Sequence, residues 1–237
     1  MQNRHSSSAW IGDGVELGRD VRIGPGAVVM GPCVIGDSVF IGPGALIGGP
    51  PEISSLEQTA AWHGELGGAG IVIGDGAVIR EGAVITQGSH RTTTVGPGAW
   101  LLSRCYVAHD VVIGAGATVS AGVSIGGHAE IGAGANLGMN ASVHQRRRVG
   151  PGAMVGMCTP LSRDVPPFAK VFGTPPRLHA ANRFALARLG IDPVVIERVE
   201  TALLHGGHPY EGIPELAEAN AWWSAAESSS WVRPAVG

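Results

Sequence analysis

Aliphatic residues recur at every sixth position over most of the chain, and no other feature of the sequence constrains the fold as strongly. They occupy Ile11, Leu17, Ile23, Val29, Ile35, Ile41, Ile47, Ile73, Ile79, Ile85, Val95, Leu101, Val107, Ile113, Val119, Ile125, Ile131, Leu137, Val143, Val149, Val155 and Leu161. An α-helix would scatter such residues around its surface. A six-residue period suits a short strand plus a turn, and three such units make one triangular coil of a parallel β-helix.

Small residues and glycines accompany this period. A small residue stands two positions before many of the aliphatic residues, at Ala27, Cys33, Ala45, Ala77, Ala83, Ala99, Ala129 and Ala135. Glycine usually follows the aliphatic residue, and the 237 residues include 38 glycines and 16 prolines. Corners of a coil often need positive φ, which glycine adopts readily. We therefore predict a mainly β fold, a parallel β-helix over residues 1–170.

Two segments, 48–72 and 86–94, interrupt the repeat. Because a solenoid does not need irregular insertions, they are usually functional, and a tolerated surface loop is the alternative.

A small helical domain is predicted over residues 171–237. The proline pairs within 164–178 are expected to stop the strands. Asp192 and Pro193 are typical of a helix start, and Gly206–Gly207 of its end. The predicted helix has an apolar stripe that comprises Val194, Ile196, Val199, Leu203 and Leu204. A second helix is predicted from Pro214 to Glu227, with Trp222 and Trp223 packing it onto its neighbour.

Charge and composition exclude several classes of protein. A net charge of −3 and a pI near 6.3 argue against a nucleic-acid partner. No apolar run reaches the roughly 20 residues that span a bilayer, and the N-terminus lacks the apolar core of a signal peptide. We expect a cytoplasmic protein without a membrane span. Cys33, Cys105 and Cys158 are expected to be reduced interior residues.

Polar residues that break the repeat indicate where chemistry occurs. His109 follows Val107 in the stretch YVAHD, and an imidazole can remove a proton near neutral pH. Asp110 could fix its tautomer. His128 and then His144 follow on successive coils. Because no two histidines have the His-x4-His spacing of the zinc ligands in hexapeptide-fold carbonic anhydrases, no metal site is expected.

The segment from residue 69 to 190 resembles the UDP-N-acetylglucosamine O-acyltransferases of lipid A biosynthesis, which are hexapeptide-repeat enzymes. The resemblance rests on IVIGDGAVIREGAVI, VAHD, SIGGHAEIG, ASVHQ, AMVGMC, DVPPFA and GTPPRLHAANRFALARLGI. It implies a left-handed β-helix, a homotrimer with sites in clefts between subunits, and a helical C-terminal domain. It also implies acyl transfer to a nucleotide sugar with no bound cofactor. Acyl carrier protein is the favoured donor and coenzyme A the second.

The resemblance assigns roles to particular residues. His109 is the catalytic base, Asp110 accompanies it, and the backbone N–H of Gly127 receives the oxyanion. The residues implied to contact the acceptor are His128, His144, Gln145, Asn182 and Arg188.

Some positions depart from that family. Tyr106, which is also predicted to bind substrate, stands where the family has a histidine, and Thr59 and Ala61 stand where it has an aspartate and a lysine. The acceptor is therefore left open among nucleotide-linked or free amino sugars, and attack by oxygen or nitrogen is equally open. Met157 occupies the acyl-ruler position, which predicts a shorter acyl chain unless it only fills a gap.

The run Arg146–Arg148 is unusual, because Arg147 falls at the small-residue position. Either the coil distorts there or the side chain points outward. The cluster could meet an acidic carrier protein or a phosphate, or form a solvated rim. The alternatives to a nucleotide-sugar acyltransferase are an acetyl-CoA-dependent enzyme on a small acceptor, a non-catalytic scaffold, and metal-dependent hydration.

Overall fold

Three sheets form the walls of a parallel solenoid in the computed structural model, which describes residues 3–56, 58, 68–205, 207–225 and 231–235. Strands are numbered in chain order. Sheet 1 contains β1 (Arg4–His5), β4 (Arg22–Ile23), β7 (Phe40–Ile41), β10 (Val78–Ile79), β13 (Trp100–Leu101), β16 (Thr118–Val119), β19 (Asn136–Leu137), β22 (Met154–Val155), β24 (Ala169–Phe172) and β25 (Arg177–Ala181). Sheet 2 contains β2 (Trp10–Ile11), β5 (Val28–Val29), β8 (Leu46–Gly49), β11 (Val84–Thr86), β14 (Tyr106–Val107), β17 (Ser124–Ile125), β20 (Ser142–Val143) and β23 (Pro160–Leu161). Sheet 3 contains β3 (Val15–Leu17), β6 (Cys33–Ile35), β9 (Ile71–Ile73), β12 (Thr93–Val95), β15 (Val112–Ile113), β18 (Glu130–Ile131) and β21 (Arg148–Val149).

Equivalent residues stack from one coil to the next. Ile113 of β15 pairs with Ile131 of β18, and both are buried. Burying such a side chain contributes about 1.5–3 kcal/mol. Ala117 and Ala135 are fully buried, because only a small side chain fits beside the corner. The hexapeptide pattern thus predicts the inward-facing residues correctly.

The chain turns at three corners in each coil, and these corners position the polar residues. The first corner joins sheet 1 to sheet 2 (156–159, for example), the second joins sheet 2 to sheet 3 (108–111), and the third joins sheet 3 to sheet 1 (114–117). Glycine with positive φ is common there, as at Gly116. At the second corner this conformation is adopted by Asp110 (φ 62°) and His128 (φ 61°).

The expectation that prolines stop the strands near residue 166 is wrong. Strand β24 follows Pro166–Pro167, pairs in parallel with β22, and then pairs antiparallel with β25. The prolines lie in the corner before β24, where their missing N–H groups remove no hydrogen bond of the sheet. The predicted domain division between residues 170 and 171 falls inside β24, and it stays a prediction.

Three α-helices follow the solenoid: α1 (Arg183–Arg188), α2 (Pro193–His205) and α3 (Ala217–Ser224), the last preceded by a 3₁₀ turn at Pro214–Leu216. Helix α2 begins as predicted, because Asp192 Oδ1 accepts the Val194 N–H at 2.8 Å. Val194 itself is exposed, in the first turn of α2 and off its buried face, so its place in the apolar stripe is wrong. Helix α1 was not expected. The predicted helix ends at Gly206 and Glu227 lie outside the described residues.

The tryptophans of α3 pack as predicted. Trp223 stacks on Trp231 with ring centroids 4.2 Å apart. The guanidinium of Arg148, on the solenoid, lies 4.0 Å from the ring centroid of Trp222. Within the described part of the chain, no helix has the length and apolar character needed to cross a bilayer.

Two of the three cysteines are interior residues. Cys33 and Cys105 are buried, and burial raises the pKa of each thiol to about 12. Cys158 is exposed, so the prediction is wrong for this residue. It occupies the outward-facing positive-φ position of a first corner.

Candidate active site

His109 and Asp110 form a hydrogen-bonded pair at the second corner, between β14 and β15. His109 Nδ1 lies 2.6 Å from Asp110 Oδ2, and the Asp110 side chain is fully buried while that of His109 is 15% exposed. With the carboxylate ionised, Nδ1 is the donor, which leaves the lone pair on Nε2. The imidazole can therefore accept a proton at Nε2.

The Asp110 carboxylate is held by residues of the second interruption. Its Oδ1 accepts the backbone N–H groups of Ser89, His90 and Arg91 at 3.0, 2.8 and 2.7 Å. Its Oδ2 accepts the Ser89 hydroxyl at 2.6 Å. Burial raises the pKa of Asp110, but these hydrogen bonds and the one from His109 outweigh it, so the pKa lies well below its usual range.

Gly127 lies one coil beyond His109, directly against the imidazole ring. A Cβ at this position would lie 2.7 Å from Cε1 and 2.8 Å from Nε2 of His109. The backbone N–H of Gly127 donates to no other residue in the described part of the chain. The residue that lies against the basic nitrogen therefore has an unused backbone N–H.

His128 completes a cluster of imidazoles. Its Nε2 lies 3.7 Å from Asp110 Oδ2, and its ring is edge-on to His109 at 5.1 Å and to His90 at 6.0 Å. Burial lowers the pKa of His128 although Asp110 opposes this, and the charge of Arg146 lowers it further. The ring is therefore neutral near neutral pH and can both donate and accept hydrogen bonds.

A groove of about 390 Å³ lies on the face of sheet 2 and reaches Gly126, which adjoins Gly127; none of His109, Asp110 and His128 lines it. Tyr106, His144 and Gln145 line it, as do serines 124, 142 and 162. The Tyr106 hydroxyl donates to Glu52 Oε2 at 2.8 Å. Burial and this hydrogen bond raise the pKa of Tyr106 above its usual value, so the phenol is neutral.

Asn182 and Arg188 lie elsewhere, in a second groove of about 540 Å³ at the third corner. The two grooves share no lining residue. Asn182 Nδ2 donates to the Gly152 carbonyl at 2.8 Å, and its Oδ1 accepts the Ala185 N–H at 3.4 Å as the N-cap of α1. One copy of the chain thus does not bring these two residues to His109.

Met157 lies at the first corner and is 61% exposed. Met139, in the preceding coil, and Phe172 are also exposed. The three side chains give this corner an apolar surface, and none of them lines either groove.

The arginine run does not distort the solenoid. Arg148 pairs in register with Glu130 of the preceding coil, and their side chains form an ion pair of 3.1 Å. Arg147 points outward and lies 3.6 Å from the Asp164 carboxylate. Of the three, Arg146 is the exposed one.

His109, Asp110 and His128 place ligand atoms within 4.8 Å of one another, which forms the one cluster of metal-ligand type among the described residues. The expectation that the chain binds no metal stays a prediction.

Sequence reasoning missed Ser89, His90, Arg91 and Glu52 as residues of this site. The sequence contained a partial signal, because the first three lie in the interruption at 86–94 and Glu52 lies in the interruption at 48–72. Their pairing with Asp110 depends on a loop path that no repeat specifies. Thr59 and Ala61, at the altered sugar positions, lie outside the described residues.

Known proteins share both the repeat and the fold. The family model "Bacterial transferase hexapeptide (six repeats)" matches residues 14–49 and 92–127. UDP-N-acetylglucosamine acyltransferase from Bacteroides fragilis has a TM-score of 0.74 and 26% identity, and the match covers 95% of this chain and 92% of that one. The enzyme from Francisella novicida has a TM-score of 0.69 and 26% identity, with 99% and 91% covered. The chain carries this hexapeptide repeat, and its likeness to these enzymes identifies it as an acyltransferase.

The fold likeness extends over the whole chain. UDP-N-acetylglucosamine acyltransferase from Campylobacter jejuni has a TM-score of 0.77 and 24% identity, and the match covers 98% of each chain. By this likeness of fold, the β-helix of the present chain is left-handed, as the sequence resemblance implies. Comparison with the curated proteins finds no match.

Proposed function

We propose that this acyltransferase moves an acyl group from a thioester donor to a hydroxyl or amine of a nucleotide-linked sugar, with His109 as the general base. One observation carries the proposal: His109 donates Nδ1–H to a buried, ionised carboxylate, and its Nε2 lies against Gly127, whose backbone N–H is unused. A base and an oxyanion donor side by side are what acyl transfer requires.

The geometry supports a balanced reaction. Nε2 of His109 removes the proton from the acceptor oxygen or nitrogen while that atom attacks the thioester carbonyl. The oxyanion that forms accepts the Gly127 N–H. When the carbonyl re-forms, the carbon–sulfur bond breaks, and the imidazolium returns its proton to the departing sulfur as a thiol. Asp110 stabilises the imidazolium throughout.

A nucleotide sugar is proposed as the acceptor because of the matched solved structures and the residues that line the groove. The matched solved structures are named UDP-N-acetylglucosamine acyltransferases. His144 and Gln145 line the groove on the face of sheet 2 and offer donors and acceptors for a nucleotide or sugar. The Tyr106 phenol, which donates to Glu52, is neutral, and it would face the sugar in this groove. We propose acyl carrier protein as the donor's carrier, with coenzyme A as the alternative.

A homotrimer is proposed because His109 and Arg188 lie at different corners of each copy, the second and the third. Arg188 would bind the nucleotide phosphates from a neighbouring copy, since the third corner of one prism can face the second corner of the next. Trp100, 48% exposed on the outer face of sheet 1, provides an apolar surface for such packing. It continues a column with Val78 and Phe40 of the same sheet.

We propose that Met157 limits the acyl chain to short or medium length. Its exposed side chain occupies the apolar first corner where a longer chain would otherwise extend. A flexible thioether fills such a surface well.

A donor and acceptor panel tests the function. The purified protein is incubated with UDP- and dTDP-sugars and with short, medium and long acyl groups on acyl carrier protein or coenzyme A, and products are read by mass spectrometry. We expect transfer of a short or medium chain. His109→Ala should lower turnover about 10²- to 10⁴-fold, the usual contribution of a general base.

The matched control is His205→Ala, on the exposed face of α2, which should leave turnover unchanged. Undiminished transfer by His109→Ala would contradict the base assignment. Failure of every donor with the wild-type protein would contradict the proposed function.

A further inference from the structure

The second interruption is built around the carboxylate of Asp110. Its backbone N–H groups at residues 89, 90 and 91 converge on Oδ1, which forms a small anion-binding nest. The hydroxyl of Ser89 is the one side-chain donor from this segment to reach Oδ2, the oxygen that also accepts from His109. Ser89 and His109 therefore share a single acceptor atom.

The hydrogen bonds at Ser89 have a defined direction. The hydroxyl proton goes to Asp110 Oδ2, because an ionised carboxylate only accepts. The contact of 2.8 Å between Ser89 Oγ and His90 Nδ1 then has His90 as its donor. A chain runs from His90 through Ser89 to Asp110, and it meets His109 at the same oxygen.

Arg91 fixes this segment to the solenoid. Its Nε donates to the Asp110 carbonyl at 2.6 Å, one terminal nitrogen pairs with Glu130 at 3.0 Å, and the other donates to the His128 carbonyl at 3.2 Å. The Ser89 hydroxyl is therefore held in place by contacts to two coils of the second corner.

We propose that Ser89 is a positioning residue, which orients the Asp110 carboxylate and shares its charge so that His109 presents Nε2 to the acceptor. This inference rests on the proposed function of His109 as the base. It assigns the interruption at 86–94 a role in the reaction.

Loss of the hydroxyl has a predictable sign. Without Ser89 as a donor, Oδ2 carries more uncompensated negative charge next to the imidazole, which favours the imidazolium form. The other charged or titratable groups around this imidazole pair are His90, His128, Arg91, Arg146 and Glu130. Of these groups, only His90 loses a contact in the variant, its hydrogen bond to Ser89 Oγ. Asp110 is the charged group that is hydrogen-bonded to His109, so the shift is assigned to Asp110.

Kinetics of Ser89→Ala test the proposal. We expect kcat to fall about 10- to 100-fold, as for other residues that orient a reacting group, with KM for the acceptor unchanged. The acid limb of the pH profile of kcat/KM should move to higher pH. Ser89→Thr keeps the hydroxyl and should restore both.

The matched control is Thr92→Ala, which removes a hydroxyl from the same segment that donates to the Ala69 carbonyl and does not touch Asp110. It should behave as the wild type. An acid limb that stays in place in Ser89→Ala, or an equal loss in Thr92→Ala, would show a merely structural role and overturn the proposal.

Histidine ¹⁵N NMR of the wild-type protein tests the same hydrogen-bond arrangement, and it needs neither a substrate nor a variant that must fold. We expect neutral His109 and neutral His90 both to carry their proton on Nδ1. A proton on Nε2 of His90 would mean that Ser89 donates to His90 instead of Asp110, and it would overturn the inference. If the spectrum shows both protons on Nδ1 but no acyl donor supports transfer, then the proposed function is wrong while the hydrogen-bond arrangement at Ser89 still holds.

Discussion

At the scale of single residues, Gly127 is required by contact and not by backbone conformation. The ring of His109 occupies the volume that a side chain at residue 127 would need. Gly98 is the opposite case, because its φ of 64° is unfavourable for other residues while nothing lies within 4 Å of its Cβ position. Substitution of Gly127 is therefore expected to affect the reaction, and substitution of Gly98 is expected to affect stability.

Gly127→Ala should lower kcat about 10-fold or more, because a displaced base and oxyanion donor forfeit transition-state stabilisation. Its unfolding midpoint in denaturant should stay close to that of the wild type, since the His109 side chain can move aside.

Gly98→Ala should lose about 1–2 kcal/mol of stability through its left-handed backbone and keep its activity. Wild-type turnover in Gly127→Ala would contradict the placement of the site.

At the scale of elements, Asn182 at the N-cap of α1 and Arg188 in its last turn were both assigned to nucleotide binding by the sequence, and the structure gives them different roles. Asn182 uses both ends of its amide to cap α1 and to tie it to the Gly152 carbonyl. Arg188, in the last turn, has its guanidinium 5.9 Å from the ring centroid of Phe184 and lines the second groove. One residue holds the helix, and the other is available to a ligand.

Asn182→Ala should therefore cost about 1 kcal/mol of stability through the lost cap. Arg188→Ala should leave the denaturation midpoint unchanged and raise KM for the nucleotide sugar, because the phosphate loses its guanidinium partner. Denaturant titrations and steady-state kinetics on both variants measure this division. A raised KM in Asn182→Ala at unchanged stability would instead support a direct nucleotide contact.

The elements also show what a sequence can and cannot predict. The six-residue period predicted the inward residues as far as Leu161, because burial of one side chain per face repeats with the same local geometry. The continuation of the wall through β24 was missed, because prolines in a corner remove no hydrogen bond of the sheet. His109 and Asp110 were identified as candidates, but the three N–H groups that hold Asp110 come from an irregular segment. Its path depends on long-range contacts such as the Gln87 amide with the Gly31 and Gly48 carbonyls.

At the scale of the whole molecule, the two grooves lie on different parts of the prism, one on the face of sheet 2 and one at the third corner. The cluster around His109 is at the second corner, and Arg188 lines the groove at the third corner of the same chain. If both serve one acceptor, they come from different copies of the chain.

Subunit mixing tests this arrangement. Copies with His109→Ala are co-expressed with copies with Arg188→Ala, and mixed assemblies are purified by two tags. At low acceptor concentration each variant alone should be nearly inactive, and the mixture should recover activity because some of its sites combine an intact His109 with an intact Arg188. Mixing His109→Ala with Gly127→Ala is the control, and it should recover nothing, since those two residues act from one chain. No recovery in the first mixture would contradict a shared site.

The left-handed corners have a consequence for how such a molecule acquires chemistry. Asp110 and His128 occupy backbone positions that other coils fill with glycine, and Ser38, Arg104, Asn140 and Arg146 do so too. These positions lie at all three corners, and at each of them the stacked coils set the path of the backbone. Residues of different chemistry can therefore be exchanged at the corners while the scaffold stays constant.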